Sequence, residues 1–213
     1  MIIEFIKKTA TGKIAFLLFL CFVFINVICL FDRALASLIV YNFGLNPSLD
    51  LWNLIKLPIT LITSMFIHVR IDHFLFNFIA LLSFGPMVEA MVGKKEFLKI
   101  FFGSGILGGI LYIIVCNIFG SYSIAIGASG ALSGLLGFLS VVRPNTQVLF
   151  IFIPMNIVFG TILFILISLY LMVFVDPNAF NIAHAAHLGG VLFGIYYGFK
   201  KIKKRIDHFE HDI

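Results

Sequence analysis

Apolar residues fall into long blocks separated by short polar or breaker-rich segments. The first block begins near Ile14 and ends at Asp32. Others cover residues 74–92, 97–116, 128–142, 148–175 and 183–199. Most are within the length of about 17–25 residues that a helix needs to cross a bilayer, so the pattern predicts six membrane-spanning helices. Between the first two, residues 34–68 are interrupted by Gly44, Pro47 and Pro58 and carry Asp50 and Lys56. That segment predicts a structured, partly interfacial loop and not a span. The first block is too long for a signal-peptide core, and no small-residue cleavage site follows it. The expected organisation is one six-span domain over residues 1–213, with residues 1–13 before the first span and a charged tail over 200–213.

Composition strengthens this reading. The chain is 61% hydrophobic and only 12% charged, with a mean hydropathy of +1.11. Soluble domains carry about 25% charged residues, so a soluble globular protein, a disordered chain and a nucleic-acid-binding module are all excluded. The net charge of +5 matters through its placement. With both termini assigned to the cytoplasm, Lys7, Lys8, Lys13, Lys94, Lys95, Lys99, Arg143, Lys200, Lys201, Lys203, Lys204 and Arg205 all lie inside, leaving only Arg33, Lys56 and Arg70 outside. This is the positive-inside asymmetry, and it predicts a multi-pass cell-membrane protein with cytoplasmic termini. Cys21, Cys29 and Cys116 sit within apolar runs without metal spacing and read as small hydrophobes. No cofactor and no metal are implied.

The fourth block is short. The 16 residues from Gly127 to Val142 rise only ~24 Å against a core of ~30 Å. Such a helix must begin below the outer surface, where backbone survives only if protein or trapped water satisfies it. At its sunken start stand Gly127, Ala128, Ser129 and Gly130. Counting from Arg143 and Lys200 as anchors, Ser129 lies ~21 Å up its helix and His187 ~20 Å up the sixth. Counting from Met91, Asn77 lies ~21 Å up the second, with His73 one turn above it on the same face. Polar side chains at one level on three helices are costly in a membrane and point to function. On the sixth helix Gly190, Gly194 and Gly198 share the face of His187, and the fourth offers Gly130, Gly134 and Gly137. Small residues at these spacings permit backbone-to-backbone packing, which would bring a serine and a histidine into the reach that an activated nucleophile requires.

These residues resemble the rhomboid family. Gly127-Ala128-Ser129-Gly130 resembles its Gly-x-Ser-Gly motif, and Ala186-His187-Leu188-Gly189-Gly190 with Gly194 resembles its sixth-helix motif. His68, His73 and Asn77, followed by Gly85 and Glu89, resemble its second-helix pattern. The resemblance extends from about Trp52 to Phe199. It implies an all-α membrane protein, a rhomboid-like bundle of six helices acting as an intramembrane serine protease. In that reading Ser129 is the nucleophile and His187 the general base and acid. His73, Asn77 and the Ser129 backbone N–H form the oxyanion hole, while Gly127, Gly130, Gly190 and Gly194 support the packing. It also implies single-span membrane proteins as substrates and the lipid bilayer as the route of entry, with a Phe-rich fifth span (Phe150, Phe152, Phe159, Phe164, Phe174) beside residues 49–63 as a lateral gate. Two positions depart from the family pattern. Trp52 is followed by Asn53, where many relatives have arginine. Ser133 stands where an aromatic or bulky apolar residue often packs on the catalytic imidazole.

Other readings have different sequence signatures. A buried serine alone more often bonds a carbonyl one turn back, and a lone buried histidine is more often structural. His68 and Glu89 read as fold-supporting, and His184 as solvent-facing or a loop contact. A proteolytically inactive rhomboid-like protein that binds membrane proteins is the alternative within the fold, but both members of the Ser–His pair are present. A transporter would show an internal repeat. A metalloprotease would show a His-Glu-x-x-His helix, and the glycine faces leave no room for a haem ring.

Overall fold

The computed structural model describes residues 2–120, 123–150, 153–174 and 184–211. It is a helical bundle. Its elements are α1 (Ile2–Lys8), α2 (Ala10–Phe31), α3 (Arg33–Phe43), α4 (Leu51–Thr63), a 3-10 turn (Ser64–Phe66), α5 (Ile71–Val92), α6 (Lys94–Phe119), α7 (Ser129–Val142), strands β1 (Gln147–Phe150) and β2 (Ile153–Asn156), α8 (Ile157–Phe174) and α9 (His184–His211). Among the described residues, α2, α5, α6 and α8 are each long and apolar enough to cross a membrane. The shorter α7 and the apolar first part of α9 complete six bundle helices.

The bundle is built around α7. Residues 130–139 are all buried, and the helix packs against α5, α6, α8 and α9. A helix apolar on every side belongs at a centre, not a surface. Its neighbours instead keep large apolar side chains outward, among them Phe24, Phe76, Ile114 and Phe159, as a lipid-facing perimeter requires.

Three elements differ from the sequence expectation. The fifth span, expected over 148–175, begins only at Ile157, because the first part of that apolar run folds back as the antiparallel pair β1–β2, with Gln147 opposite Asn156 and Phe150 opposite Ile153. Pro154 within the run disfavours a helix interior but is tolerated in a two-stranded edge. Val175 lies outside the described residues, as does Ala183, the expected start of the sixth span. That sixth helix also continues well past Phe199, to His211.

The third difference is the segment over 34–68, expected as a structured outer loop, which is mostly helical. Asp32 caps α3 by accepting from the Leu35 N–H at 3.0 Å, and Asp50 caps α4 by accepting from the Asn53 N–H at 2.9 Å. Those two caps satisfy helix-start donors that would otherwise be orphaned. Hydrogen bonds, first from the Asn53 N–H and then from the Ser48 hydroxyl, hold the Asp50 carboxyl below its ordinary pKa. Asn53, in the family's arginine position, is itself buried and donates through its side-chain amide to Asp50. The cation reappears one turn later. Lys56 Nζ lies 5.0 Å from the Tyr41 ring centre and 5.2 Å from that of Trp52, tying α3 to α4 by cation–π attraction.

At the opposite end of the bundle, Glu89 links α5 to α2. Its carboxylate accepts from the Ala10 N–H at 2.7 Å, the Thr11 N–H at 2.8 Å and the Thr11 hydroxyl at 2.7 Å. A buried carboxylate at a helix N-terminus answers both the orphan donors and the positive end of the dipole. Hydrogen bonds to charged groups contribute about 1.5–3 kcal/mol each. Glu89→Ala should therefore destabilise the fold by at least about 2 kcal/mol, measured as a lower unfolding temperature in detergent.

Candidate active site

Ser129 is the first residue of α7, preceded by Ala128 as N-cap. The turn that delivers it needs Gly127, whose φ of 104° lies in the left-handed region that side chains rarely tolerate. The space is closed too. A Cβ on Gly127 would lie 2.5 Å from His73 Cε1 and 2.6 Å from His73 Nε2. The imidazole of His73 thus lies against the backbone two residues before Ser129.

The stretch leading into this turn is non-helical but well bonded. Leu45 and Ala125 exchange backbone hydrogen bonds of 2.9 Å each, the Tyr112 hydroxyl donates to the Ser123 carbonyl at 2.6 Å, and the Gly127 N–H donates to the Ser64 carbonyl at 2.8 Å. Protein groups therefore provide the satisfaction that irregular backbone inside a membrane protein requires. The start of α7 is thereby tied to the 3-10 turn, to Leu45 and to α6. Ser64 and Tyr112 carry no motif and were not legible as site supports.

His187 comes from the second turn of α9. Its Nε2 and Ser129 Oγ are 2.8 Å apart, so the two residues counted to equal depth meet. Nδ1 of His187 is buried with no hydrogen-bond partner among the described residues. Two of the acids in or bordering the later spans have other partners. Glu89 is bonded to α2, Asp72 pairs with Arg70 at 3.0 Å from its Nε, and Asp176 lies outside the described residues.

The approach of α7 and α9 is as close as the glycines allowed. A Cβ on Gly190 would collide with the Gly130 carbonyl oxygen, and one on Gly194 with the Gly134 carbonyl oxygen. The third rung differs: Gly198 faces Val141, and Gly137 faces the Val191 backbone. The ladder thus pairs two glycines with two glycines, at the end nearest Ser129.

Asn77 is buried one turn below His73, and its Nδ2 donates to the His73 carbonyl at 2.8 Å. The amide nitrogen carries a second N–H, so this bond leaves one donor over. His68 is fully buried, its ring centre 5.0 Å from that of His73, which agrees with a supporting role. Ser133 does not reach His187; its hydroxyl donates to the Ser129 carbonyl at 2.6 Å, the turn-back bond common for serine in helices. His184 also departs from expectation. Its ring nitrogens are buried, and its ring stands edge-on to His187 at 5.8 Å between centres. On the other side Phe164 of α8 covers the imidazole at 5.4 Å and 33°.

The Rhomboid domain family profile matches residues 56–204. The chain belongs to the rhomboid family. Within it, the chain is 28% identical over 193 residues to the human presenilin-associated rhomboid-like protein, mitochondrial, covering 90% of this chain and 48% of that protein. It is 35% identical over 136 residues to the rhomboid protease GluP of Bacillus subtilis (strain 168), covering 64% of this chain and 24% of that one. A third relative, the rhomboid-type protein YdcA of the same bacterium, is 33% identical over 150 residues, or 68% of either chain. The chain spans about half the length of the presenilin-associated relatives it matches. Membership agrees with the helical membrane bundle described above, and the protein is a multi-pass membrane protein.

The glycine ladder makes one quantitative claim. Gly190→Ala forces α9 off α7 at the rung nearest the Ser129–His187 bond, and overpacking of this kind costs about 1–3 kcal/mol. Thermal unfolding in detergent should show the loss as a lower transition temperature.

Proposed function

We propose that this rhomboid is an active intramembrane serine protease that cleaves peptide bonds within or near the membrane segment of single-span proteins. The observation carrying the proposal is the 2.8 Å contact between Ser129 Oγ and His187 Nε2, a distance at which an imidazole can take the hydroxyl proton. In the proposed reaction Ser129 Oγ attacks the scissile carbonyl carbon as its proton passes to His187 Nε2. The carbonyl oxygen takes the negative charge of the tetrahedral intermediate. First-turn N–H groups of a helix have no intrahelical acceptor, so the Ser129 N–H is available in principle to that oxygen, with the spare Asn77 N–H and the His73 ring beside it. Collapse breaks the C–N bond as His187 returns its proton to the leaving amine. Water then attacks the acyl-enzyme, with His187 again as base, and regenerates Ser129. Two members suffice in this scheme, because the imidazole is oriented by packing instead of by a carboxylate.

The proposed setting is the cell membrane, with both termini cytoplasmic and the site opening to the outer side. The positive-inside distribution of Lys and Arg supports this. The substrate helix enters from the lipid beside α8 and the outer-loop helices. All of residues 1–213 act as one domain, Gly127 shapes the nucleophile turn, and Gly130, Gly190 and Gly194 set the helix approach. No cofactor or metal takes part.

A fluorophosphonate should label the purified protein in detergent, and Ser129→Ala should abolish the label. Persistence of label in that variant, or none on folded wild type, refutes the protease reading and favours an inactive relative that only binds membrane proteins. Removing one oxyanion donor costs about 10²–10³ in rate, so Asn77→Ala should cleave a transmembrane substrate about that much more slowly while unfolding at a near wild-type temperature.

A further inference from the structure

The position from which an aromatic or bulky apolar residue often packs on the imidazole in this family carries Ser133, and its hydroxyl is bonded within α7. The Ser129–His187 bond fixes one ring nitrogen and leaves rotation about that contact unrestrained. The other nitrogen, Nδ1, has no hydrogen-bond partner among the described residues. What confines the ring is packing against two other rings: Phe164 on one side and the edge-on imidazole of His184 on another. Phe164 is contributed by a different helix from either member of the pair.

We infer that Phe164 is the positioning residue for His187: a ring supplied by the neighbouring helix α8 takes over the orienting task that Ser133 cannot perform. The inference rests on the protease reading for its kinetic consequence and on the ring contact alone for its structural one. The packing of α8 makes the device specific. Most of α8 faces outward, with Leu166, Tyr170 and Val173 exposed, while Phe164 turns inward to the imidazole. An offset or tilted aromatic pair gains beyond its buried area, and a catalytic group misplaced by about 1 Å can lose about 10²-fold in rate. The orientation of the base therefore depends on where α8 sits, and a substrate that wedges α8 outward would loosen it.

Two measurements on the full chain in detergent separate this inference from the reading beneath it. In proton–carbon spectra of histidine-labelled protein, the His187 ring signals, assigned by their loss in His187→Gln, should move in Phe164→Leu as the ring-current contribution vanishes. They should stay in place in Leu166→Ala, a control on the exposed side of α8. In kinetics, Phe164→Leu should lower the rate of fluorophosphonate labelling and of substrate turnover by about tenfold or more, mainly in kcat and not in KM. Phe164→Tyr, which restores a ring, should recover it. If wild type labels but Phe164→Leu labels at the wild-type rate, or if Phe164→Tyr is as slow as Phe164→Leu, the inference fails while the protease reading stands. If wild type does not label, the protease reading fails, and an unmoved His187 signal in Phe164→Leu then overturns the contact itself.

Discussion

Two helices in this bundle approach until carbonyl oxygens of one meet α-carbons of the other. At Gly130 against Gly190 and Gly134 against Gly194 there is no space for a single methyl group. Everything at the site depends on that closeness. Ser129 has a short side chain, and an imidazole on a neighbouring helix at ordinary separation would not reach it. Lipid offers no hydrophobic drive for helices to associate, so small residues and close van der Waals contact carry the packing. The same glycines that make α7 and α9 adherent also set the reach of the hydrogen bond above them.

A second constraint follows from placing a helix start inside the bundle. The segment before Ser129 is irregular, and each unpaired group there would carry a heavy desolvation penalty. Its partners come from three separate places: the bridge to Leu45, the carbonyl of Ser64 and the hydroxyl of Tyr112. The segment that holds α3, α4 and the 3-10 turn is therefore part of the site's foundation. Its own coherence comes from the Asp32 and Asp50 caps and from Lys56 between two aromatic rings.

The meeting of Ser129 and His187 was legible because residue counts along regular helices convert directly to depth, at ~1.5 Å per residue. Glycine spacing was legible for the same reason. Hydropathy could not separate the β1–β2 pair from the helix after it, since Val148, Leu149 and Ile153 are as apolar as the residues of α8; Pro154 was the available signal. The helices inside the structured segment over 34–68 were not legible, because Gly44, Pro47 and Pro58 mask them, although α4 runs through Pro58. The orientation of His187 was not legible. It depends on Phe164 of α8 and on His184, one turn before His187 on α9, and the directions of those rings come from the packing of α8 on α9, which no motif records.

The Glu89 carboxylate has a bearing on biogenesis. A chain inserted from its N-terminus delivers α2 to the bilayer long before α5, yet the acceptor for the Ala10 and Thr11 donors lies 79 and 78 residues further on. Until that residue arrives, the start of the first span must borrow water or headgroup oxygens. Contacts of such long sequence separation form late, because loop closure must precede them. The first hydrophobic segment is thus docked retroactively, by the second, and its final depth is settled only once the nascent polypeptide has doubled back.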